Sequence, residues 1–438
     1  MESALDTGNT AWMLTASALV LLMIPGLAFF YGGMVRSKSV LNMLMMIMSA
    51  LFIVGILWVI YGYSMAFGDS YGQAGLLGNV TQYLGLEGLM VDDPEAGVPA
   101  MAFVAFQAMF ACLTVGLIAG AVADRTKFSA WLVFAGIWAT IVYFPVAHWV
   151  FNLNGDEGGW IYKLGVIDFA GGTAVHINAG AAALVLAIIL GRRLGWPKTS
   201  MKPHNLTLVM IGAGLLWFGW FGFNAGSQIA ADNSASVVFF NTFIATCAAG
   251  LAWLVTERIR DGHATSLGAA SGVVAGLVAI TPACSAVSPL GAIAIGAIAG
   301  ALCALAVGLK YKFGYDDSLD VVGVHLVGGL VGTLLIGFLA TEAAPAGVNG
   351  LLYGGGADQL GKQAIGAGAV LFYSLIVTFI IGTLIKMTIG LRIAEDAEVS
   401  GIDLAEHAES AYVLGESGGG GIFAGVGHAA RVKQEELS

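Results

Sequence analysis

The apolar stretches of this chain hold very few ionisable side chains. Three of them stand out: Asp168 and His176 in DFAGGTAVHINAG, and His325 in DVVGVHLVGG. An ionisable group deep in a membrane span costs about 2.5–3.5 kcal/mol even on a lenient insertion scale, so it usually marks a pathway. His176 lies eight residues after Asp168, about 12 Å further along a helix axis. Gly172 and Gly180 flank His176 on its own face, and Gly328, Gly329 and Gly332 do the same for His325. Each imidazole therefore sits where another helix approaches closely. Two imidazoles in contact make a polar, titratable stripe through an apolar hole, because one neutral ring donates N–H to the other and the pair can take up a proton. A structural alternative is a pair of core histidines that cross-link helices. A metal centre is a third reading, but two histidines without a nearby Cys or carboxylate triad fall short of a catalytic donor set.

The second constellation is aromatic. FQAMFA supplies Phe106 and Phe110, and WFGWFGFNAGS supplies Trp217, Trp220, Phe223 and Ser227. Rings at span ends are commonly belt residues at the lipid interface. A serine hydroxyl beside several rings suggests more, since cation–π attraction and a hydrogen-bond acceptor together can hold a small cation that sheds water. Phosphate loops, Ser-His-Asp elbows and basic nucleic-acid patches are not found in the sequence, so the reading is a non-enzyme with no cofactor, no metal and no nucleic-acid partner.

The elements that position these groups follow from composition. Of 438 residues, 58% are apolar and only 11% charged, against about a quarter charged in soluble domains, which makes this a polytopic membrane protein. Eleven segments are long and apolar enough to be spans, near 10–32, 42–67, 99–122, 129–150, 168–190, 205–226, 237–256, 265–281, 289–309, 321–340 and 364–390. They lack the alternation of barrel strands, so the fold class is all-α. Twelve Lys and Arg fall in the loops after odd-numbered spans and only Lys163 and Lys362 in those after even ones. The positive-inside rule then places the N-terminus outside and the C-terminus in the cytoplasm. The outer segments carry twelve acids, among them Asp69, Asp156 and Asp232, an arrangement that attracts cations. Residues 1–391 read as the membrane domain, with no cleavable leader evident, and 392–438 as an acidic cytoplasmic tail. Cys112, Cys247, Cys284 and Cys303 read as free thiols. Asp168…His176 closes the first five spans as Asp320…His325 closes the second five. That pattern predicts two inverted five-helix repeats, with a long eleventh helix added. By hydropathy alone, His325 is expected nearer the cytoplasmic edge than His176.

At these residues the chain closely resembles the ammonium transporter (Amt/Rh/methylammonium permease) family, from about residue 10 to 413. The matching stretches include GLAFFYGGMVRSKSVLN at 26–42, FQAMFACLTVGLIAGAVADR at 106–125, DFAGGTAVHINAG at 168–180, KPHN at 202–205, GWFGFNAGS at 219–227, TPAC at 281–284, GVHLVGG at 323–329 and GIDLAEHAESAY at 401–412. The resemblance implies a homotrimer of eleven-helix protomers in the cell membrane, each with its own pore, that serves nitrogen uptake. By motif, His176 and His325 correspond to twin pore histidines, and Asp168 to the aspartate that supports cation recruitment and deprotonation. Phe110 and Phe223 correspond to a stacked gate, and Ser227 with Phe110 to the outer ammonium site, with Trp220 a pore-wall aromatic. One departure is notable: Phe151 in AHWVF stands where the family usually has a vestibule tryptophan, so either the outer site has a weaker cation–π face or a loop aromatic such as Trp160 substitutes. The tail motif implies docking of a PII-type signalling protein at the cytoplasmic face. Ammonium and methylammonium are the implied substrates. An ammonium sensor that signals through the tail and a PII-type partner is the alternative.

Overall fold

The computed structural model describes residues 5–91 and 97–412. Among these residues every regular element is helical and none is a strand. Ten helices are long and apolar enough to cross a membrane: α1 (Thr7–Met34), α2 (Val40–Phe67), α3 (Ala100–Val122), α4 (Phe128–Phe151), α5 (Gly172–Leu190), α6 (Leu206–Gly226), α7 (Asn233–Asp261), α9 (Pro289–Phe313), α10 (Val322–Leu339) and α11 (Asp358–Thr388). The segment expected at 265–281 is the shorter α8 (Ser266–Ile280) of 15 residues. Pro282 follows it, without an N–H to continue a helix, and the chain turns through 281–287 instead. The fold is that of a multi-pass, all-helical membrane protein.

Several helices start where the sequence supplies a side-chain acceptor for their unpaired N–H groups. Asp6 accepts from Asn9 N at the start of α1, at 2.7 Å. Asn205 does so for α6, Asp232 for α7, Thr265 for α8 and Ser288 for α9. The span glycines set how closely the helices approach. On α6, Gly212, Gly219, Gly222 and Gly226 form a small-residue stripe against α1, where a Cβ on Gly212 would lie 2.3 Å from the Phe30 nitrogen. The same device seats α9 on α7, where Gly296 and Gly300 meet the backbone of Ala245 and Ala249. Such stripes let apolar helices gain dispersion contacts that lipid would otherwise provide.

Two of the cations in loops after odd-numbered spans turn out to be structural. Arg125 and Arg193 are 0% and 5% exposed. Arg193 pairs with Asp316 at 2.8 Å and with Asp124 at 3.1 Å, while Arg125 donates to the Ser318 hydroxyl and to the Asp316 carbonyl. Together they tie the ends of α3 and α5 to the segment before α10. The carboxyl of Asp316 is held below its ordinary range: burial pushes it up, but the hydrogen bonds and charges of Arg193 and Arg125 outweigh that. Two short tail helices, α12 (Glu395–Ser400) and α13 (Ile402–His407), lie against these same ends. Asp403 accepts from Leu41 N and Asn42 N at 3.0 and 2.8 Å, and Glu406 from Phe128 N at 3.0 Å. Tail carboxylates thereby cap α2 and α4, whose own N-cap residues Ser39 and Lys127 make no side-chain cap. The glycine run at 418–421 and the tail beyond 412 lie outside the described residues.

Candidate functional site

The site is built around a sharp turn ahead of α5. Asp168 is not the first residue of that helix, as the apolar pattern suggests, but caps it from the preceding loop. Its carboxylate accepts from the N–H groups of Gly171, Gly172, Thr173 and Ala174 and from the Thr173 hydroxyl. Gly171 takes φ +111° to make the turn, a value only glycine adopts without strain. With five donors converging on two oxygens, Asp168 has no free acceptor position for a direct ligand. Its charge still reaches the cavity that it lines.

That cavity, about 530 Å³, opens at one end of the helix bundle and is lined by Phe110, Phe151, Asp168, Ser227 and Gln107 among others. The Ser227 hydroxyl donates to the Phe223 carbonyl at 2.8 Å, which leaves its oxygen lone pairs free to accept. Phe151 meets Phe110 edge to face, with centroids 6.2 Å apart. Trp160 does not line the cavity but packs on Trp149 at 5.9 Å. Of the two alternatives that the sequence left open, then, only Phe151 places a ring at the cavity wall. Gln107 was missed at the sequence level. It is buried, lines the cavity, and its Oε1 has no hydrogen-bond partner among the described residues.

Below the cavity, Phe110 and Phe223 stack with centroids 4.0 Å apart and planes within 18°. Phe223 is 6.2 Å from the His176 ring, which in turn stacks on Trp220 at 5.4 Å. Trp220 is held by its indole N–H, which donates to Thr281 Oγ1 at 2.8 Å. The two imidazoles then meet: Nδ1 of His176 lies 3.2 Å from Nδ1 of His325, with ring centroids 5.3 Å apart and planes within 18°. One of the two nitrogens must donate and the other accept, so the rings hold complementary tautomers. His176 Nε2 is buried without a partner among the described residues. Both rings are nearly fully buried, at 0% and 3% exposure. Both α5 and α10 open with a π-helical turn, Gly172–Ile177 and Val322–Leu326, and each turn carries one of the two histidines that meet.

The symmetry read from Asp320 is corrected. Asp320 pairs with Lys310 at 2.6 Å. It is Asp317 whose carboxylate accepts from Val321 N and Val322 N, and Asp317 precedes His325 by the same eight residues that separate Asp168 from His176. Of the eight site residues named from the sequence, Phe110, Phe151, Asp168 and Ser227 line the cavity, and Phe223, Trp220, His176 and His325 belong to the run of ring contacts that starts at Phe110.

The model of the Ammonium Transporter Family matches residues 11–412. An "Ammonium transporter" of Mycobacterium tuberculosis (strain H37Rv) is 64% identical over 433 residues, covering 93% of this chain and 90% of the relative. One from Aquifex aeolicus is 49% identical, covering 94% and 95%. Among solved structures, Saccharomyces cerevisiae Mep2 superposes with a TM-score of 0.83 at 34% identity, covering 90% of this chain and 89% of that one. A structure described as "Sensor Amt Protein" superposes at 0.85 with 30% identity, covering 93% and 100%.

Proposed function

The chain belongs to the ammonium transporter family, and from that premise we propose that it recruits ammonium at the cavity, takes a proton from it there, and passes ammonia between His176 and His325. The observation that carries this reading is the buried imidazole pair, 3.2 Å between Nδ1 atoms, directly under a stacked phenylalanine pair and an aromatic cavity. Ammonium offers four N–H donors and a positive charge. Phe110 and Phe151 provide ring faces, and Ser227 an acceptor oxygen. The saturated carboxylate of Asp168 acts through its field, which favours a cation nearby, and the proton that ammonium gives up passes to the unpartnered Nε2 of His176. Ammonia, neutral and small, then slips past Phe110 and Phe223. The imidazole pair gives it hydrogen bonds in an otherwise apolar passage, and can carry the released proton along the shared N–H. Trp220 fixes the face of His176.

In the same reading the protein is not an enzyme and needs no cofactor. It spans the cell membrane eleven times as two inverted five-helix halves plus α11, with the N-terminus outside and residues 1–391 as the membrane domain. It assembles as a homotrimer, and residues 392–438 form the cytoplasmic regulatory tail at which a PII-type protein docks. The likeness to the protein described as "Sensor Amt Protein" supports a second reading, in which the occupied site signals through the tail with little flux. Uptake of labelled methylammonium by cells that express the protein tests the first. His176→Ala is expected to cut uptake at least tenfold at equal membrane abundance, and uptake equal to wild type in that variant would defeat the role given to the histidine pair.

A further inference from the structure

The two histidines are each preceded by an aspartate at the same distance, and those aspartates are provisioned differently. Asp168 holds five donors. Asp317, which is 1% exposed at the opposite end of the pair, holds the N–H groups of Val321 and Val322, at 3.1 and 2.7 Å. The π-helical turn that carries His325 has no side-chain cap from its own N-cap residue, Val321. The Asp317 carboxylate does that work, and an anion at a helix start is favoured by the dipole and the converging N–H groups.

Charged and titratable groups lie near Asp317 on several elements. Lys310, on the last turn of α9, donates to the Asp317 carbonyl and pairs with Asp320. Tyr31 approaches from α1, its ring beside Val321 across Gly120, and Tyr315 from the connecting segment. The neighbouring Asp316 is committed to Arg193. Burial pushes the Asp317 carboxyl up to about 6, against the pull of Lys310 and with Asp320 adding to the rise. The group is therefore ionised at neutral pH and takes up a proton as the pH falls through that value. Protonation converts one acceptor oxygen to O–H and removes the charge that favours the turn.

We propose that Asp317 is a positioning residue for His325: its carboxylate holds the turn that presents the imidazole to His176, and its protonation from the inner side releases that turn and closes down transport. This rests on the transport reading above, and extends it from the outer acid to the inner one. The consequence is feedback, since a carrier that delivers protons with its substrate slows as the inner solution acidifies.

The test is initial methylammonium flux into vesicles containing the full-length protein, with outer pH fixed and inner pH set at 7.5 or 5.5. The ionised fraction of a group titrating near 6 falls roughly fourfold across that interval, and wild-type flux is expected to fall by the same factor. Asp317→Asn, measured under the same gradients, is expected to show low flux that no longer depends on inner pH. Asp317→Glu should keep the dependence. Lys310→Met, which leaves the carboxylate but removes its counter-charge, should move the profile to higher pH. A wild type whose flux ignores inner pH overturns the proposal even if no variant folds, as does an Asp317→Asn protein with the wild-type dependence. Flux at inner pH 7.5, set against His176→Ala, reports separately on the transport reading.

Discussion

At the residue scale, the proposed chemistry rests on a few side chains whose neighbours leave one hydrogen-bonding position open. Ser227 gives its proton to a backbone carbonyl, which turns it into an acceptor, and His176 Nε2 is left without a partner among the described residues. These commitments could not be read from the chain, because they depend on which atoms meet. The residue types and their spacing could be: the histidines, Asp168 and the aromatics are legible because an ionisable or amphipathic group costs too much in an apolar span to be incidental. Asp317 was also within reach, since its eight-residue lead on His325 repeats that of Asp168 on His176, but Asp320 lies nearer in sequence and drew the assignment. Phe151 yields a direct prediction. Phe151→Trp restores the stronger cation–π face at the cavity wall, worth about 0.5–1 kcal/mol at a partly exposed site. The half-saturating methylammonium concentration should then fall roughly two- to fivefold. An unchanged or raised value would show that this ring does not face the cation.

At the scale of elements, hydropathy located the helices but not the features that aim their side chains. The π-helical openings of α5 and α10 have no hydropathy signature, and they carry the two histidines that meet. The shortness of α8 was signalled only by Pro282. Glycine spacing was the better guide, because it marks where backbones touch. The contact of α6 with α1 can be tested by two glycines two residues apart. A Cβ on Gly212 meets Phe30 backbone at 2.3 Å, whereas one on Gly214 meets nothing within 4 Å. Gly212→Val should therefore separate the helices at a cost of about 1–3 kcal/mol or more and lower the thermal midpoint of the detergent-purified protein. Gly214→Val should leave it nearly unchanged. Equal midpoints for the two variants would contradict the close packing of α6 on α1.

At the scale of the whole molecule, the formal charge of −10 conceals a division. In the proposed orientation, the outer segments hold acids that draw cations towards the aromatic cavity, although Glu2, Asp92, Asp93 and Glu95 lie outside the described residues. The inner side is basic, but the structure gives that charge a second use, because Arg125 and Arg193 are sealed into an ion-pair cluster rather than left facing solvent. Breaking such a buried pair by removing one partner strands a charge and is strongly destabilising. The acidic tail closes over these ends by capping α2 and α4. From outside to inside, the proposed reading thus has an attracting field, an acceptor cavity, an aromatic seal, an imidazole pair and a second acid.

The measurement that bears most directly on this account is the response of purified full-length protein, in vesicles free of any signalling partner, to a sudden rise in external ammonium. The account predicts saturable movement of ammonium into the vesicles, detected as tracer methylammonium flux and abolished by His176→Ala. Vesicles that carry folded wild-type protein yet take up no more than bare lipid, or equal flux through wild type and His176→Ala, would contradict it.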